Sequence, residues 1–188
     1  MPSTPAAWRL QAAVEALACE GVIATPTEAV WGLSCDPYSE RAVRSLLALK
    51  RRPLAKGLIL VAAEIDQLEF LLADLSQRNR QRLQESWPGP VTWLVPHRHR
   101  LPAWIHGEHD TVAVRVSDHP VLRALCLSWG GALVSTSANP GGSQPARAAF
   151  QVRRYFGDYL DGILPGAIGQ SPRPSSIRDL SSGQIIRA

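Results

Sequence analysis

Short apolar runs, each too brief for a helix, alternate along this chain with stretches of helical period. Residues 57–62, 91–95, 111–116 and 132–135 are such runs, and 22–25 is another that Pro26 breaks. Strands of this kind separated by helices restrict the chain to a layered α/β domain. The run 57–62 is continuously apolar, as expected of a strand covered on both faces. Helical period marks 6–20, 39–50, 64–73, 76–86, 119–129 and 147–156. Thr4 is the expected cap of the first helix, with Pro5 in its first position. Leu10, Val14, Leu17 and Ala18 form its apolar face, and Gly21 ends it. Ser39 is the expected cap of the second helix. Lys50 lies in its last turn, and Pro53 stops it. Trp87-Pro88-Gly89-Pro90 reads as a rigid turn. Strand candidates crowd the end of the chain at 162–164, 176–180 and 184–187, joined by short turns. Some pairing must therefore be antiparallel, and the sheet is expected to be mixed.

At 188 residues, with 45% hydrophobic and 19% charged residues, the chain reads as one domain spanning 1–188. Its three cysteines form no CxxC pair, which points to a reducing compartment, and Cys19 and Cys126 are expected to fill helix faces. No apolar run approaches the roughly 20 residues that span a bilayer. The first residues lack the basic-then-apolar order of a signal peptide. A cytoplasmic protein with no membrane association is expected. The formal net charge of +4 favours anionic partners such as nucleotides or RNA.

Three segments carry chemistry. Pro26-Thr27-Glu28-Ala29-Val30-Trp31-Gly32-Leu33 follows the first strand, and Trp31 is as apt to wall a pocket as to fill the core. Lys50, Arg51, Arg52 and Lys56 crowd within seven residues beside a buried strand. A lysine in a last helical turn also serves the helix dipole, but such crowding is repulsive unless an anion relieves it. Ser135-Thr136-Ser137-Ala138-Asn139 gathers donors where another strand ends, which suits a nucleotide or simply a capped turn. Strand ends are where open α/β sheets bind ligands. Arg115 stands inside the apolar run 112–116 and requires an anion, either Asp118 or Asp179 or a substrate carboxylate. His97, His99, His106 and His109 share a loop with Arg98 and Arg100. Their spacing fits no zinc pattern, so they are expected to be solvated. GxxxxGK[ST], GxGxxG and GxSxG are all absent from the sequence.

These segments, taken in order with Trp87-Pro88-Gly89-Pro90-Val91-Thr92 and His119-Pro120, resemble the YrdC/TsaC family of threonylcarbamoyl-AMP synthases. The resemblance runs from about Ala24 to the end of the chain and matches the short form. It implies a twisted mixed sheet flanked by helices around a basic concave groove. It implies a nucleotidyltransferase that joins L-threonine, bicarbonate and ATP into L-threonylcarbamoyl-adenylate and pyrophosphate. That product serves N6-threonylcarbamoyl modification of adenosine 37 in tRNA, so downstream tRNA-modification proteins are implied partners. By the resemblance, Lys50, Arg52, Ser137 and Asn139 form the catalytic set on the ATP phosphates. Lys56, Thr111, Pro145 and Arg187 match further ATP positions. Thr27, Arg115, Ser135 and Ser175 match threonine positions, with Arg115 on the carboxylate. Mg2+ is expected to arrive with ATP, and no protein-bound metal is implied. Lys50 and Arg52 are both expected to face solvent or ligand. Asn139-Pro140-Gly141-Gly142 departs from the family's usual Asn-Leu-Ser-Gly, and Val61 stands where longer relatives have histidine. A different class of function, a double-stranded RNA or ribosomal RNA binding module with direct RNA contact, fits the basic groove too. It does not need the hydroxyl-rich strand ends.

Overall fold

The computed structural model describes residues 5–187. Among them, nine strands make one sheet: β1 (Ile23–Pro26), β2 (Trp31–Cys35), β3 (Ile59–Ala62), β4 (Val91–Pro96), β5 (Thr111–Val116), β6 (Leu133–Ser137), β7 (Gly162–Ile163), β8 (Ser176–Asp179) and β9 (Ile185–Arg187). Their order is β7-β1-β2-β6-β3-β5-β4-β8-β9. The sheet is mixed, as expected: β1–β7, β3–β5 and β4–β8 pair parallel, and the other neighbours pair antiparallel. The helices are α1 (Ala7–Ala18), α2 (Glu40–Lys50), α3 (Glu69–Leu72), α4 (Gln77–Ser86), α5 (Ala103–His106), α6 (Pro120–Trp129) and α7 (Ala149–Phe156).

Local chemistry sets most boundaries. Ser39 caps α2 by accepting from the N–H of Ala42 at 3.1 Å. Gly130, at φ 85°, ends α6 in the left-handed conformation that glycine adopts without strain. Several expectations are corrected. The N-cap of α1 is Ala6 and has no side-chain bond, Pro5 precedes the helix, and Thr4 lies outside the described residues. Cys19 is exposed past the end of α1, whereas Cys126 is buried on α6. The stretch 64–73 divides into a 3-10 turn at Ile65–Leu68 and the single helical turn α3. Helix α7 begins two residues late because Gln151 Oε1 accepts from the N–H groups of Arg147 and Ala148, at 2.7 and 3.1 Å. Strand β2 was not anticipated. Pro26 pairs with Trp31 across a tight turn in which Thr27 N donates to Val30 O at 3.0 Å.

Strand alternation divides the sheet into two unlike faces. On β3, Leu60 and Ala62 enter the larger apolar cluster, while Val61 and, just past the strand, Ala63 enter the smaller one. The larger cluster also takes Trp31, Leu33 and Cys35 from β2 and Val112, Val114 and Val116 from β5. The smaller cluster packs Leu17 of α1 and Val121, Leu122 and Leu125 of α6 against Ile23, Val61 and Leu133. Helices α1 and α6 therefore cover only part of the second face. Gly32, Ile59, Ala113, Arg115, Ser135 and Ser137 share its parity and line an open cavity instead.

Candidate active site

The cavity has a volume of about 530 Å³, within the range of small-molecule sites. Ten of the twelve residues expected at a site line it: Thr27, Arg52, Lys56, Thr111, Arg115, Ser135, Ser137, Pro145, Ser175 and Arg187. They come from β2's turn, the end of α2, β5, β6 and the C-terminal strands, so the sheet brings together residues distant in sequence. Lys50 and Asn139 stand behind the wall. Asn139 Nδ2 donates to Pro140 O and Ser143 O at 3.1 and 2.8 Å, and its Oδ1 accepts from Ser137 Oγ at 2.6 Å. It shapes the loop after β6.

Lys50 faces neither solvent nor the cavity, contrary to expectation. It is 5% exposed, and its Nζ donates to Ser137 O and, at 3.0 Å, to Asn139 O. Burial, then the neighbouring charge of Arg52, brings its pKa down to about 8. Arg52 does reach the cavity while donating to Gly57 O from Nε and Nη2, at 3.3 and 3.0 Å. Its pKa is lowered by burial and by Arg187, and that of Arg187 by burial and by Arg115. Lys50, Arg52, Arg187 and Arg115 thus form a chain of mutually repelling cations. Arg173 and Lys56 add to it at the cavity wall.

Among the described residues, Glu28 is the one carboxylate lining this space. Its Oε2 lies 2.9 Å from Arg115 Nη1, and its Oε1 accepts from Ser117 Oγ at 2.5 Å. This is the internal partner of Arg115, in place of Asp118 or Asp179. Asp179 instead accepts from Ser181 and Ser182 in a turn. Burial raises the Glu28 pKa, but Arg115, Ser117 and other donors outweigh it, and the net value lies below the ordinary one. The pairing is incomplete, since Glu28 Oε2 and Arg115 Nε have no hydrogen-bond partner. Buried donors left open at a cavity wall are costly unless a ligand meets them.

Other hydroxyls are partly engaged. Thr27 Oγ1 donates to Val30 O at 2.8 Å, and Ser175 Oγ shares a 2.7 Å bond with Thr92. Trp31 is both core and wall: it is 1% exposed, and its main chain accepts from Ala138 N and donates to Ala146 O, each at 2.7 Å. Of the loop histidines, His99 and His109 are exposed, as expected, whereas His97 and His106 are not freely solvated. His97 is buried and stacks on His106, ring centroids 3.8 Å apart, while His106 and His109 line the cavity. Residue patterns did not point to Glu28, Arg173, His106 or His109 as cavity residues. The available signals are the place of Glu28 in the segment 26–33 and the setting of Arg173 between prolines in Ser171-Pro172-Arg173-Pro174. Among the described residues no group of three His, Cys, Asp or Glu is placed to hold a metal ion. None of their helices is long and apolar enough to cross a membrane.

A family model described as telomere recombination, Sua5/YciO/YrdC, matches residues 15–188. The chain belongs to the Sua5/YciO/YrdC family. Within that family, the threonylcarbamoyl-AMP synthase of Stutzerimonas stutzeri (strain A1501) is 56% identical over 180 residues, 96% of this chain and 97% of the relative. That of Pseudomonas aeruginosa (strain UCBPP-PA14) is 58% identical with the same coverage. The crystal structure of P. abyssi Sua5 complexed with L-threonine superposes with a TM-score of 0.87 at 29% identity, covering 95% of this chain. This chain spans about half that protein's length, 52%. E. coli YciO shares the YrdC-like fold, with a TM-score of 0.88 at 22% identity over 99% of this chain and 91% of that one.

Proposed function

We propose that this protein is an L-threonylcarbamoyladenylate synthase, a nucleotidyltransferase acting in the cytoplasm and supplying N6-threonylcarbamoyladenosine formation in tRNA. The observation that carries the reading is the set of cations Arg52, Arg187 and Arg115 lining one cavity, where Arg187 lowers the pKa of Arg52 and Arg115 that of Arg187. Such a wall is stabilised by a polyanion, and a triphosphate beside an amino-acid carboxylate supplies the matching charges. The two full-length relatives named threonylcarbamoyl-AMP synthase support the same assignment.

In this reading the threonine amine is first carboxylated by bicarbonate, and water leaves. A carbamate oxygen then attacks the α-phosphorus of ATP, and the bond to pyrophosphate breaks. Arg52, Lys56 and Arg187 balance the charge that builds on the phosphates. Ser137 brings to the wall a hydroxyl that can donate to ATP once it leaves Asn139 Oδ1, and Lys50 and Asn139 act from behind it. Thr111 and Pro145 border the nucleoside side. Arg115, already turned toward one carboxylate, offers its remaining donors to that of threonine, and Thr27, Ser135 and Ser175 surround the amino acid. Alignment of three reactants is worth roughly 7–11 kcal/mol in favourable cases. Glu28, the carboxylate at the cavity, is engaged by Arg115 and Ser117. A resident divalent cation does not suit that donor set, and Mg2+ belongs on the phosphate oxygens of the incoming ATP.

The test is pyrophosphate release from ATP with threonine and bicarbonate supplied together or singly. Release is expected only when both are present. Steeply salt-dependent RNA binding without threonine-dependent release would replace the assignment with an RNA-binding module.

A further inference from the structure

The loop after β6, residues 138–146, is closed at its neck by Trp31, whose main chain bonds Ala138 and Ala146. Its body rests on the C-terminal end of α2. There the main-chain oxygen of Lys50 accepts from Gly141 N at 2.7 Å. A side chain at Gly141 would sit 3.2 Å from that oxygen, so the approach is close. From the same residue, Nζ reaches up to the carbonyls of Ser137 and Asn139. Lys50 therefore holds the end of β6 and the loop at three points, two by its side chain and one by its backbone. The residues it holds carry Ser137 Oγ to the cavity wall.

We infer that Lys50 is a positioning residue that sets the 137–141 segment from beneath, and that it does not touch the substrate itself. The inference deepens the reading of the cavity as a nucleotide site, and only its kinetic arm rests on that reading. The buried Lys50 ammonium gives two of its three donors to carbonyl oxygens and is held off the cavity wall by them. To reach a phosphate in the cavity the side chain would have to swing away from both carbonyls and leave them unpaired. Lys56 and Arg52 do line the cavity, and Arg52, though bonded to Gly57 O and Lys56 O through Nε and Nη2, already reaches it without breaking those bonds.

The sequence contains only two lysines, Lys50 and Lys56, so amine acylation of the wild-type protein reads each directly. Lys56 is exposed at the cavity. It is expected to be modified in the free protein and protected by ATP. Lys50 is expected to stay unmodified with or without ATP until the protein is unfolded. Its lowered pKa would favour its acylation if reagent could reach it, which makes the test severe. Acylation of Lys50 in the free protein, suppressed by ATP, would overturn the inference. Lys50→Met keeps the apolar stem and removes the donors. Amide exchange across 138–146 in the ligand-free variant is expected to quicken about tenfold or more, with the rest of the sheet unchanged. Unchanged exchange in that loop would also overturn the inference. In kinetics, KM for ATP should rise about tenfold while KM for threonine holds. A fall in kcat alone would indicate lost folded protein and count against the inference. If Lys50→Met does not fold, acylation of the wild type still decides the matter.

Discussion

Arg115 and Glu28 form a buried ion pair, Nη1 to Oε2 2.9 Å, whose two side chains also line the cavity. Neither charge is tolerable there alone. Removing one partner of such a pair typically costs about 3–5 kcal/mol. Glu28→Ala should therefore lower unfolding stability by about that amount, read by urea denaturation at pH 7. Glu28→Gln, which can still accept from Ser117, should lose less stability but raise the KM for threonine. The sign with pH follows from the lowered Glu28 pKa. The pair's contribution is full above the unfolded carboxylate pKa, near 4.5, and is lost as pH falls through the folded value. Glu28→Gln should flatten that acid limb of the stability curve. An unchanged limb would separate Glu28 from acid unfolding.

Gly32 keeps the cavity floor open. A Cβ there would lie 3.1 Å from Thr27 Cγ2 and 3.7 Å from Ser135 Oγ. Both neighbours belong to the proposed threonine side. Gly32→Val is therefore expected to raise KM for threonine at least about tenfold, with KM for ATP moving much less. Thermal unfolding should stay within a few degrees of wild type. Isotherms with each substrate varied in turn check the split. Equal loss toward both substrates would place the amino acid elsewhere.

The histidine loop should make the protein acid-sensitive. The N–H of His99 donates to His97 Nδ1 at 3.1 Å, so that nitrogen must be unprotonated. Burial, His106 and His99 all lower the His97 pKa, and burial lowers that of His119 despite the opposing bond to Ala167 O and the carboxylates nearby. Below about 6.5 the unfolded chain binds protons that these folded rings resist, so stability falls as pH falls. Urea midpoints should be lower at pH 5.5 than at pH 7. His97→Asn retains an acceptor near Nδ1 and cannot titrate, so it should shrink the difference. A difference of wild-type size in that variant would exclude His97 as a source.

The legible parts of this molecule were those with local physical causes. The Ser39 cap, the Gly130 stop and the double burial of β3 follow from short-range pattern. Strand β2 was hidden because Pro26, Gly32 and the polar turn between them read as loop; pairing with β1 on one side and β6 on the other makes the segment a strand. Arg115 announced its need for an anion, but its partner Glu28 lies 87 positions away, across the sheet. Ten cavity residues were named through motif resemblance. The orientation of Lys50, away from the cavity and onto the next loop, depends on how α2 ends against β6, and no spacing in the sequence encodes it.

Arg187, on the edge strand β9, offers the most direct check on the crowded cations. Its Nη2 donates to Ser175 O at 3.1 Å, and its charge opposes those of Arg52 and Arg115. Arg187→Met exchanges one half-exposed hydrogen bond for relief of that repulsion. The ligand-free variant is expected to match wild type in unfolding stability to within about 1 kcal/mol. The effect of ATP should differ sharply. Bound ligand stabilises by RT ln(1 + [L]/Kd), so weaker affinity appears directly as a smaller rise in melting temperature. The shift that millimolar ATP produces in wild type should shrink in Arg187→Met and recover partly in Arg187→Lys. The same shift should also diminish with added salt, as for any contact between phosphate and partly exposed cations. A melting shift identical in all three proteins would remove Arg187 from the phosphate wall.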